Sequence, residues 1–230
     1  MRLLISVRSP AEALLAAEGG ADFVDLKEPR DGALGGLPVA TIRAIVQTLR
    51  ERGIALPTSA TIGDVGMREM DLIAARVEAV GACGVDYVKV GIERSPRAAE
   101  VLDMLAGSRH AVVPVFIADA GLDFELIARA CGLGFPGVMA DTADKRAGSI
   151  FACVAMTELQ RFIATVRQAS KLVGLAGALR LPDLPTLREL VPDFAGFRSA
   201  VCTCDRTSTL DVQKVSELAE LLGKVPAGQT

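Results

Sequence analysis

Histidine and cysteine, the side chains that most often bind metals, are scarce in this sequence. The 230 residues contain one histidine, His110, and five cysteines, an odd number. Cys202 and Cys204 form a C-x-C pair, whereas structural zinc sites are usually built from paired C-x2-C elements. The spacing therefore gives no support for a metal site, and we expect the free thiols of a protein from a reducing compartment.

Long apolar runs and clusters of one charge sign are also missing. No apolar stretch approaches the roughly 20 residues that a membrane-spanning helix needs. The formal net charge is −3 and the basic residues are scattered, so no nucleic-acid partner is expected. The N-terminus resembles a secretory signal only superficially, because Arg8 interrupts its apolar run and residues 11–20 are typical of an amphipathic helix. These features predict a cytoplasmic protein that has no membrane partner.

What the sequence does contain is an eightfold alternation of short apolar segments and longer helical patterns. The pattern predicts strands at 2–6, 22–26, 57–61, 87–91, 111–118, 136–141, 171–177 and 194–200. It predicts helices at 9–18, 38–52, 67–82, 95–106, 122–131, 156–169, 183–190 and 209–222. A strand followed by a helix, repeated in this way, places the strands parallel to one another.

Two parallel architectures fit this alternation, an open doubly wound sheet and a closed barrel. Open sheets often carry G-x-G-x-x-G after the first strand, and "LLISVRSPAEA" (residues 3–13) has no glycine there. Eight units in a chain near the roughly 250 residues of a typical barrel favour the α/β class and a single-domain (β/α)8 TIM barrel. We assign residues 1–224 to this barrel and residues 225–230 to a C-terminal tail. The oligomeric state stays open, a homo-oligomer included.

Charged and polar side chains stand at the carboxyl ends of the predicted strands, where barrel enzymes hold their active sites. They are Asp25, Lys27, Lys89, Asp141, Lys145, Arg198 and Ser199. Side chains two apart share a face of a strand, but alternation alone does not say which face lies inside. Lys89 lies between Val88 and Val90 in a strand that a barrel covers on both sides, so its ammonium needs a polar cavity.

Each of these residues also has a purely structural interpretation. A strand-end lysine can extend its amine to solvent. Asp25 could form a structural ion pair with Lys27 or Lys89. Asp141 could cap a turn within "DTADK" (residues 141–145).

A cluster of lysines in one partly desolvated mouth predicts imine chemistry. Mutual repulsion disfavours the charged form of at least one amine and lowers its pKa toward neutrality. A neutral lysine attacks a carbonyl, and the protonated imine that results acidifies the neighbouring carbon for carbon–carbon bond formation. A second lysine and a carboxylate would then move protons.

The last two loops of the predicted barrel suggest a phosphate site, because loops in this position often bind phosphate through backbone N–H groups. "GLAGALRLPDLP" (residues 174–185) and "FRSAVCTCDRTSTL" (residues 197–210) are rich in small residues. Gly177 and Ser199 would offer N–H groups, and Arg198 would add a positive charge. The alternative is that the glycines after strand seven only permit tight packing.

Six motifs, in this order from the second to the eighth predicted strand, are similar to one enzyme family. They are "DLKEPRDGALGG", "SATIGDV", "YVKVGIE", "MADTADKRAG", "LAGAL" and "FRSAVC". They resemble the (5-formylfuran-3-yl)methyl phosphate synthases, and the D-x-K-x-P and D-T-x-x-K blocks are the specific ones. The resemblance implies a TIM barrel that converts two molecules of glyceraldehyde 3-phosphate into a phosphorylated furan aldehyde, with loss of one phosphate and water. That product leads toward methanofuran or a related methylofuran.

The same resemblance implies roles for individual residues. Lys27 would form the imine, Lys89 would accept a proton, and Asp141 with Lys145 would act as a pair, without a metal or an organic cofactor. Two other functions stay open. One is another Schiff-base aldolase that acts on a sugar phosphate, and the other is a non-catalytic barrel that binds a phosphorylated metabolite.

Overall fold

Parallel strands and helices alternate through the computed structural model, which describes residues 1–32, 34–144 and 147–223. The strands are β1 Arg2–Val7, β2 Phe23–Leu26, β3 Thr58–Thr61, β4 Tyr87–Ile92, β5 Val112–Ile117, β6 Gly137–Asp141, β7 Leu172–Leu175 and β8 Phe194–Phe197. The helices are α1 Pro10–Glu18, α2 Val39–Glu51, α3 Met70–Gly81, α4 Ala98–Ala106, α5 Phe124–Gly132, α6 Ile150–Cys153, α7 Met156–Gln168, α8 Leu184–Leu190 and α9 Val212–Leu221. None of these described helices has the length and apolar character that crossing a membrane requires.

The eight strands close into a barrel in sequence order, because β8 pairs with β1. Every neighbouring pair is parallel, from β1 with β2 to β7 with β8. The predicted (β/α)8 TIM barrel is thereby confirmed, and each predicted strand overlaps an observed one. The predicted tail, residues 225–230, lies outside the described residues.

The strands divide their side chains between the inside of the barrel and the surrounding helices. Leu3, Ile5, Val24 and Leu26 belong to the large core that the helices cover. Strand residues that point the other way, together with Leu34 from the loop after β2, form a second, smaller cluster inside the barrel, which comprises Leu4, Phe23, Leu34, Val113, Val115, Met139 and Phe194. Because alternate residues share a face, the set that contains Phe23 and Asp25 points inward. The structure thus settles the choice of face that the sequence left open.

Side-chain caps fix the first turn of several helices and hence the ends of the loops before them. The Ser9 hydroxyl accepts a hydrogen bond from the Glu12 N–H at 3.3 Å, and Pro10 occupies the first turn of α1. Asp123 and Asp211 cap α5 and α9 in the same way. Such caps satisfy N–H groups that have no partner within the helix.

Two segments differ from their predicted bounds near the end of the chain. The predicted strand 194–200 ends at Phe197, because Ser199–Val201 forms a 3-10 turn. The predicted helix 209–222 begins at Val212, because Leu210 forms an antiparallel bridge with Cys202. Both differences lie in the segment between β8 and α9. The short helix α6 was not predicted.

Gly174 in β7 gives a test of the interior packing. A β-carbon at this position would lie 2.3 Å from the Phe194 ring and 2.8 Å from Met139. We expect Gly174→Ala to lower the free energy of unfolding by about 1–3 kcal/mol, because overpacking forces neighbours out of their preferred rotamers. Urea unfolding followed by circular dichroism measures this change.

Gly132→Ala is the matched control, since nothing lies within 4 Å of the added carbon and Gly132 is at the end of α5. Its stability should equal or slightly exceed that of the unsubstituted protein. Equal effects of the two substitutions would contradict the packing described for the barrel interior.

Candidate active site

A cleft of about 540 Å³ opens at the carboxyl end of the barrel. Its walls come from the ends of β1, β2, β4, β6, β7 and β8 and from the loops that follow them. Four charged side chains at its base are Asp25, Lys27, Lys89 and Asp141. The structure therefore brings together four of the residues that the sequence singled out at strand ends. Lys145, which the sequence also predicts at this site, lies outside the described residues.

Lys89 and Asp25 form the deeper of two ion pairs in this cleft. The Lys89 Nζ lies 2.7 Å from the Asp25 Oδ1, and the side chains are 4% and 1% exposed. The same Oδ1 accepts a hydrogen bond from the Ser59 hydroxyl at 2.6 Å, and the Ser6 hydroxyl donates to Oδ2 at 3.1 Å. Strand register creates this arrangement, because Ser6 and Ser59 are the β1 and β3 neighbours of Asp25.

The environment of Asp25 stabilises its negative charge. Burial alone would raise the pKa of this carboxyl. The charges of Lys89 and Lys27 and the hydrogen bonds from Lys89 and Ser59 outweigh burial and hold the pKa below its ordinary value. Asp25 is therefore ionised at neutral pH and balances the Lys89 ammonium. The structural ion pair that was one interpretation of Asp25 is present.

Lys27 and Asp141 form the second, shallower pair. The Lys27 Nζ lies 3.4 Å from the Asp141 Oδ2, and the Lys27 side chain is 10% exposed. Charge-assisted hydrogen bonds between nitrogen and oxygen are usually about 2.7–2.9 Å long, so this contact is loose. The other oxygen of Asp141 accepts the Thr142 N–H at 2.8 Å. Asp141 thus accepts a hydrogen bond from the backbone of the next residue and also faces the lysine.

The two ion pairs modify the expectation that repulsion between lysines determines the electrostatics of the cleft. Each of the two described amines faces a carboxylate, so the four side chains balance in charge. Their geometry nevertheless separates the amines by role. Lys89 is tightly bound and almost fully buried, whereas Lys27 has a longer contact with its carboxylate. Both amines line the cleft, and Lys27 is the less tightly held of the two.

Part of the cleft wall consists of small residues from β8 and from the loops after β7 and β8. Gly177 has φ +114° and Ala178 has φ 47°, both in the left-handed region. In the part of the chain that the structure describes, the N–H groups of these two residues donate to no protein acceptor. Together with Gly196 and Ser199 they line the cleft. Exposed N–H groups of this kind bind anions.

The glycine within β7 and the glycine that follows it have different reasons to be glycine. Gly174 is required for packing, because its position faces the Phe194 ring. Gly177 adopts a backbone conformation that L-residues rarely take, and a β-carbon there would lie 3.0 Å from Ile150 and Thr142. The packing interpretation therefore fits Gly174, and the cleft interpretation fits Gly177.

Arg198 lines the cleft, but its guanidinium is occupied by the protein. Its Nε donates to the Arg206 carbonyl at 2.9 Å, and Nη1 donates to the Ser6 carbonyl at 3.0 Å and to Glu12 at 2.5 Å. Nη2 donates to Glu12 at 3.1 Å and to the Ser208 carbonyl at 2.8 Å. All five N–H donors of the side chain are used. This geometry gives no support to Arg198 as a direct phosphate ligand.

Glu12, on α1, is the buried carboxylate that holds Arg198. Burial would raise the pKa of Glu12, but the hydrogen bond and charge of Arg198 and the contacts with Arg8 lower it below its ordinary value. Arg8 lies 3.5 Å from the same carboxylate. The pair joins the first helix to the loop after the last strand.

Arg206 is a cleft residue that sequence reasoning missed. Its side chain lines the cleft, and its Nη2 donates to the Gly32 carbonyl at 3.3 Å. Burial lowers the pKa of Arg206, while the nearby Asp141 carboxylate opposes that shift. The loop after strand eight was recognised as a phosphate-binding candidate, but nothing in its spacing distinguishes Arg206 from Arg198.

The described residues contain no group of three or more His, Cys, Asp or Glu side chains arranged to hold a metal ion. The polar groups of the cleft are amines, carboxylates and backbone amides, which suit a phosphorylated carbonyl compound.

Comparison with known proteins places this chain in a family. The family model described as 4-HFC-P synthase matches residues 3–219. The chain belongs to this family. An Archaeoglobus fulgidus protein named (5-formylfuran-3-yl)methyl phosphate synthase is 35% identical over 96% of this chain and 98% of its own length. A Methylorubrum extorquens protein that carries the same name with a provisional qualifier is 38% identical over 98% of this chain and 93% of its own.

Solved structures agree with the 4-HFC-P synthase family on the fold. Phosphoribosyl anthranilate isomerase from Thermus thermophilus superimposes with a TM-score of 0.64 at 16% sequence identity, over 97% of this chain and 98% of its own. At that identity the likeness concerns the barrel alone.

The Asp25–Lys89 pair gives a prediction about stability. Asp25→Asn leaves the Lys89 ammonium buried without its carboxylate, and we expect the free energy of unfolding to fall by about 3–5 kcal/mol at neutral pH. Because the pKa values of Asp25 and Glu12 are lowered in the folded protein, their stabilisation is complete above the ordinary carboxyl range. It is lost as the pH falls through the lowered values.

Urea unfolding of the unsubstituted protein and of Asp25→Asn between neutral and acidic pH measures both effects. The variant should depend less on pH below about pH 5. Glu217→Gln, which removes an exposed carboxylate on α9, is the control and should leave stability and its pH dependence unchanged. A pH dependence of Asp25→Asn as steep as that of the unsubstituted protein would refute the assignment.

Proposed function

We propose that this protein is a (5-formylfuran-3-yl)methyl phosphate synthase that condenses two molecules of glyceraldehyde 3-phosphate through an imine on Lys27. The observation that carries the proposal is a loosely held amine, 3.4 Å from its carboxylate, at the base of a cleft with anion-binding walls. The names of the relatives and the family match support the same product.

Imine formation begins at Lys27. Its amine must give up a proton before it attacks the substrate carbonyl, and Asp141 is positioned to receive that proton. The substrate is a triose phosphate, isomerised within the cleft to the ketose where the chemistry requires it. Water leaves as the carbonyl carbon becomes the protonated imine, which is the electron sink for the next step.

The Lys89 ammonium passes a proton to the Asp25 carboxylate, 2.7 Å away, and the neutral amine then takes a proton from the carbon next to the imine. Loss of that proton gives an enamine, which attacks the aldehyde of the second triose phosphate and forms the new carbon–carbon bond. Asp25 keeps Lys89 in one orientation through their 2.7 Å contact. The deeper pair thus serves as the proton-transfer group, and the shallower lysine carries the substrate.

The late steps are ring closure, dehydration and loss of one phosphate. We assign them to Asp141 and Lys145 as a proton-transfer pair, with Gly177 and Ser199 at the phosphate that is retained. Asp141 reaches the imine nitrogen of Lys27, so it can act again after the imine has formed. Lys145 enters this proposal from the family resemblance alone.

Reductive trapping tests the nucleophile. Borohydride added with glyceraldehyde 3-phosphate should fix a covalent adduct on Lys27, which peptide mass analysis locates. Lys27→Arg keeps the charge but forms no imine, so adduct and turnover should both vanish. Lys171→Arg is the control, because the Lys171 amine donates to the Leu133 and Phe135 carbonyls, outside the cleft. Substantial furan formation by Lys27→Arg would disprove the assignment.

Lys89 is expected to act after the imine forms. Lys89→Ala should retain trapping on Lys27 and lose turnover by at least about a hundredfold, the contribution of a well-placed proton-transfer group. Because that variant leaves Asp25 unpaired, Asp25→Asn combined with Lys89→Gln provides a second version with no buried unpaired charge. Loss of trapping in both folded variants would place Lys89 in imine formation instead.

The product assay separates the synthase from the other functions. Incubation with glyceraldehyde 3-phosphate should produce a furan chromophore and one equivalent of inorganic phosphate for each furan. A Schiff-base aldolase would give the borohydride adduct but no furan. A non-catalytic barrel would give neither.

A further inference from the structure

Arg206 introduces a guanidinium into the cleft that the proposed chemistry has not yet used. Its side chain is about half-buried, which costs hydration of the charge. The hydrogen bond that its guanidinium donates to the Gly32 carbonyl is 3.3 Å long and involves a neutral acceptor. A guanidinium offers five donors in a planar fork that fits a phosphate group. Among the residues that the structure describes, this carbonyl is the one acceptor of the Arg206 side chain, so most of its donors can serve a ligand.

The segment that carries Arg206 is held in a fixed turn. The Asp205 carboxylate accepts the N–H groups of Thr207 and Ser208 at 2.8 and 3.1 Å. Arg198 donates to the Arg206 carbonyl at 2.9 Å and to the Ser208 carbonyl at 2.8 Å. The turn is therefore tied on both sides of Arg206, and its side chain projects from a pre-organised backbone.

Arg198 in turn depends on Glu12 for its own orientation. Two guanidinium nitrogens bind the two carboxylate oxygens of Glu12, at 2.5 and 3.1 Å, and both side chains are more than nine-tenths buried. A further bond reaches the Ser6 carbonyl at the end of β1. A continuous set of bonds thus runs from α1 through Arg198 to the backbone of Arg206.

Backbone N–H groups of the cleft complete the anion site. Gly177 and Ala178 line the same cleft as Arg206, and within the described chain their N–H groups have no protein acceptor. A phosphate monoester in this cleft would receive hydrogen bonds from these backbone groups and from the guanidinium fork. Its carbon chain would then extend toward Lys27, which lines the same cleft.

We propose that Arg206 is the cation that binds the substrate phosphate, and that Arg198 and Glu12 are positioning residues that orient it. The ligand class is a small phosphate monoester, and its phosphate displaces the Gly32 carbonyl from Arg206. This inference rests on the proposed function for the identity of the substrate, but the phosphate site itself is testable without turnover.

Inorganic phosphate is the probe for the direct contact. Titration calorimetry of the unsubstituted protein, Arg206→Lys and Arg206→Gln measures its dissociation constant. We expect Arg206→Gln to weaken binding by roughly tenfold to a hundredfold, as the loss of charge-assisted hydrogen bonds implies. The dissociation constant of Arg206→Lys should lie between those of the unsubstituted protein and Arg206→Gln, because an ammonium keeps the charge but lacks the planar fork of donors.

Arg94→Gln is the matched control for loss of one positive charge. Arg94 also follows a strand at the carboxyl end of the barrel and donates to a carbonyl, that of Ala120, at 3.1 Å, but it does not line the cleft. Its phosphate affinity should stay within about twofold of the unsubstituted protein. Equal weakening by Arg94→Gln and Arg206→Gln, or none by Arg206→Gln, would overturn the proposal.

Kinetics distinguish this inference from the proposed function. In Arg206→Gln we expect KM for glyceraldehyde 3-phosphate to rise, while borohydride trapping of unphosphorylated glyceraldehyde on Lys27 stays unchanged. If the protein makes no furan but Arg206→Gln weakens phosphate binding, the proposed function is wrong and the phosphate site at Arg206 is supported. If the protein makes the furan but Arg206→Gln leaves KM unchanged, the proposed function is supported and the role of Arg206 is wrong.

The positioning role of Glu12 needs a double-mutant cycle. Glu12→Gln should weaken phosphate binding when Arg206 is present and should have no further effect in the Arg206→Gln background. If the losses of phosphate affinity from Glu12→Gln and Arg206→Gln are additive, Glu12 does not act through Arg206 and has only a structural role. Should Glu12→Gln fail to fold, Arg198→Lys replaces it in the cycle, since a lysine can still pair with Glu12 while losing the bonds to the turn.

Discussion

The Lys89 ammonium and the Asp25 carboxylate meet 2.7 Å apart where almost no water reaches them. Either charge alone in that position would be strongly destabilising, because its hydration is lost without compensation. Two hydroxyls from neighbouring strands also donate to the carboxylate. The interior of the barrel can hold a basic group under the cleft only because four strands contribute to this one arrangement. A change in the register of β1, β2, β3 or β4 would break it.

The cleft combines this rigid base with a looser upper part. Lys27 and Asp141 are in contact but not tightly bound, so the Lys27 amine is less constrained than that of Lys89. Around them, the loops after β7 and β8 offer N–H groups and a guanidinium rather than carboxylates. The charges at the base balance in two ion pairs, and Arg206 adds a positive charge to the cleft wall. A phosphorylated aldehyde would align with its phosphate outward and its carbonyl inward.

The sequence predicts the barrel well because its signals are local. Apolar runs and helical periodicity repeat eight times, and strand-end charges follow from where those runs stop. The sequence does not say which alternate residues of a strand point into the barrel, because the alternation looks the same for either face. The pairing of Asp25 with Ser6 and Ser59 decides it, and that pairing is known only from the structure. Lys27, Lys89 and Asp141 were recognisable at strand ends. The sequence did not predict that each lysine pairs with a carboxylate, because these pairs depend on contacts between different strands.

The different roles of Arg198 and Arg206 show where local signals end. Both lie in one loop, and both are arginines in a segment rich in small residues. Only Glu12, separated from Arg198 by 186 positions, decides which of them is engaged by the protein. The predicted end of β8 at residue 200 was wrong for a related reason. The chain leaves the strand after Phe197 and forms the 3-10 turn Ser199–Val201, next to Arg198, which pairs with Glu12.

Closure of β8 on β1 has a consequence for how the molecule is made. Asp25, Lys27 and Lys89 are all synthesised in the first half of the chain, yet the wall that faces them comes from its last quarter. Contacts between such distant segments are slow to form, because a long loop must close before they contribute. Until β8 has joined, β1 and β7 are the edges of an open sheet, and the last loops of the cleft wall are not yet in place over Lys27. Lys27 is therefore enclosed in its cleft only when the final strand has joined the first.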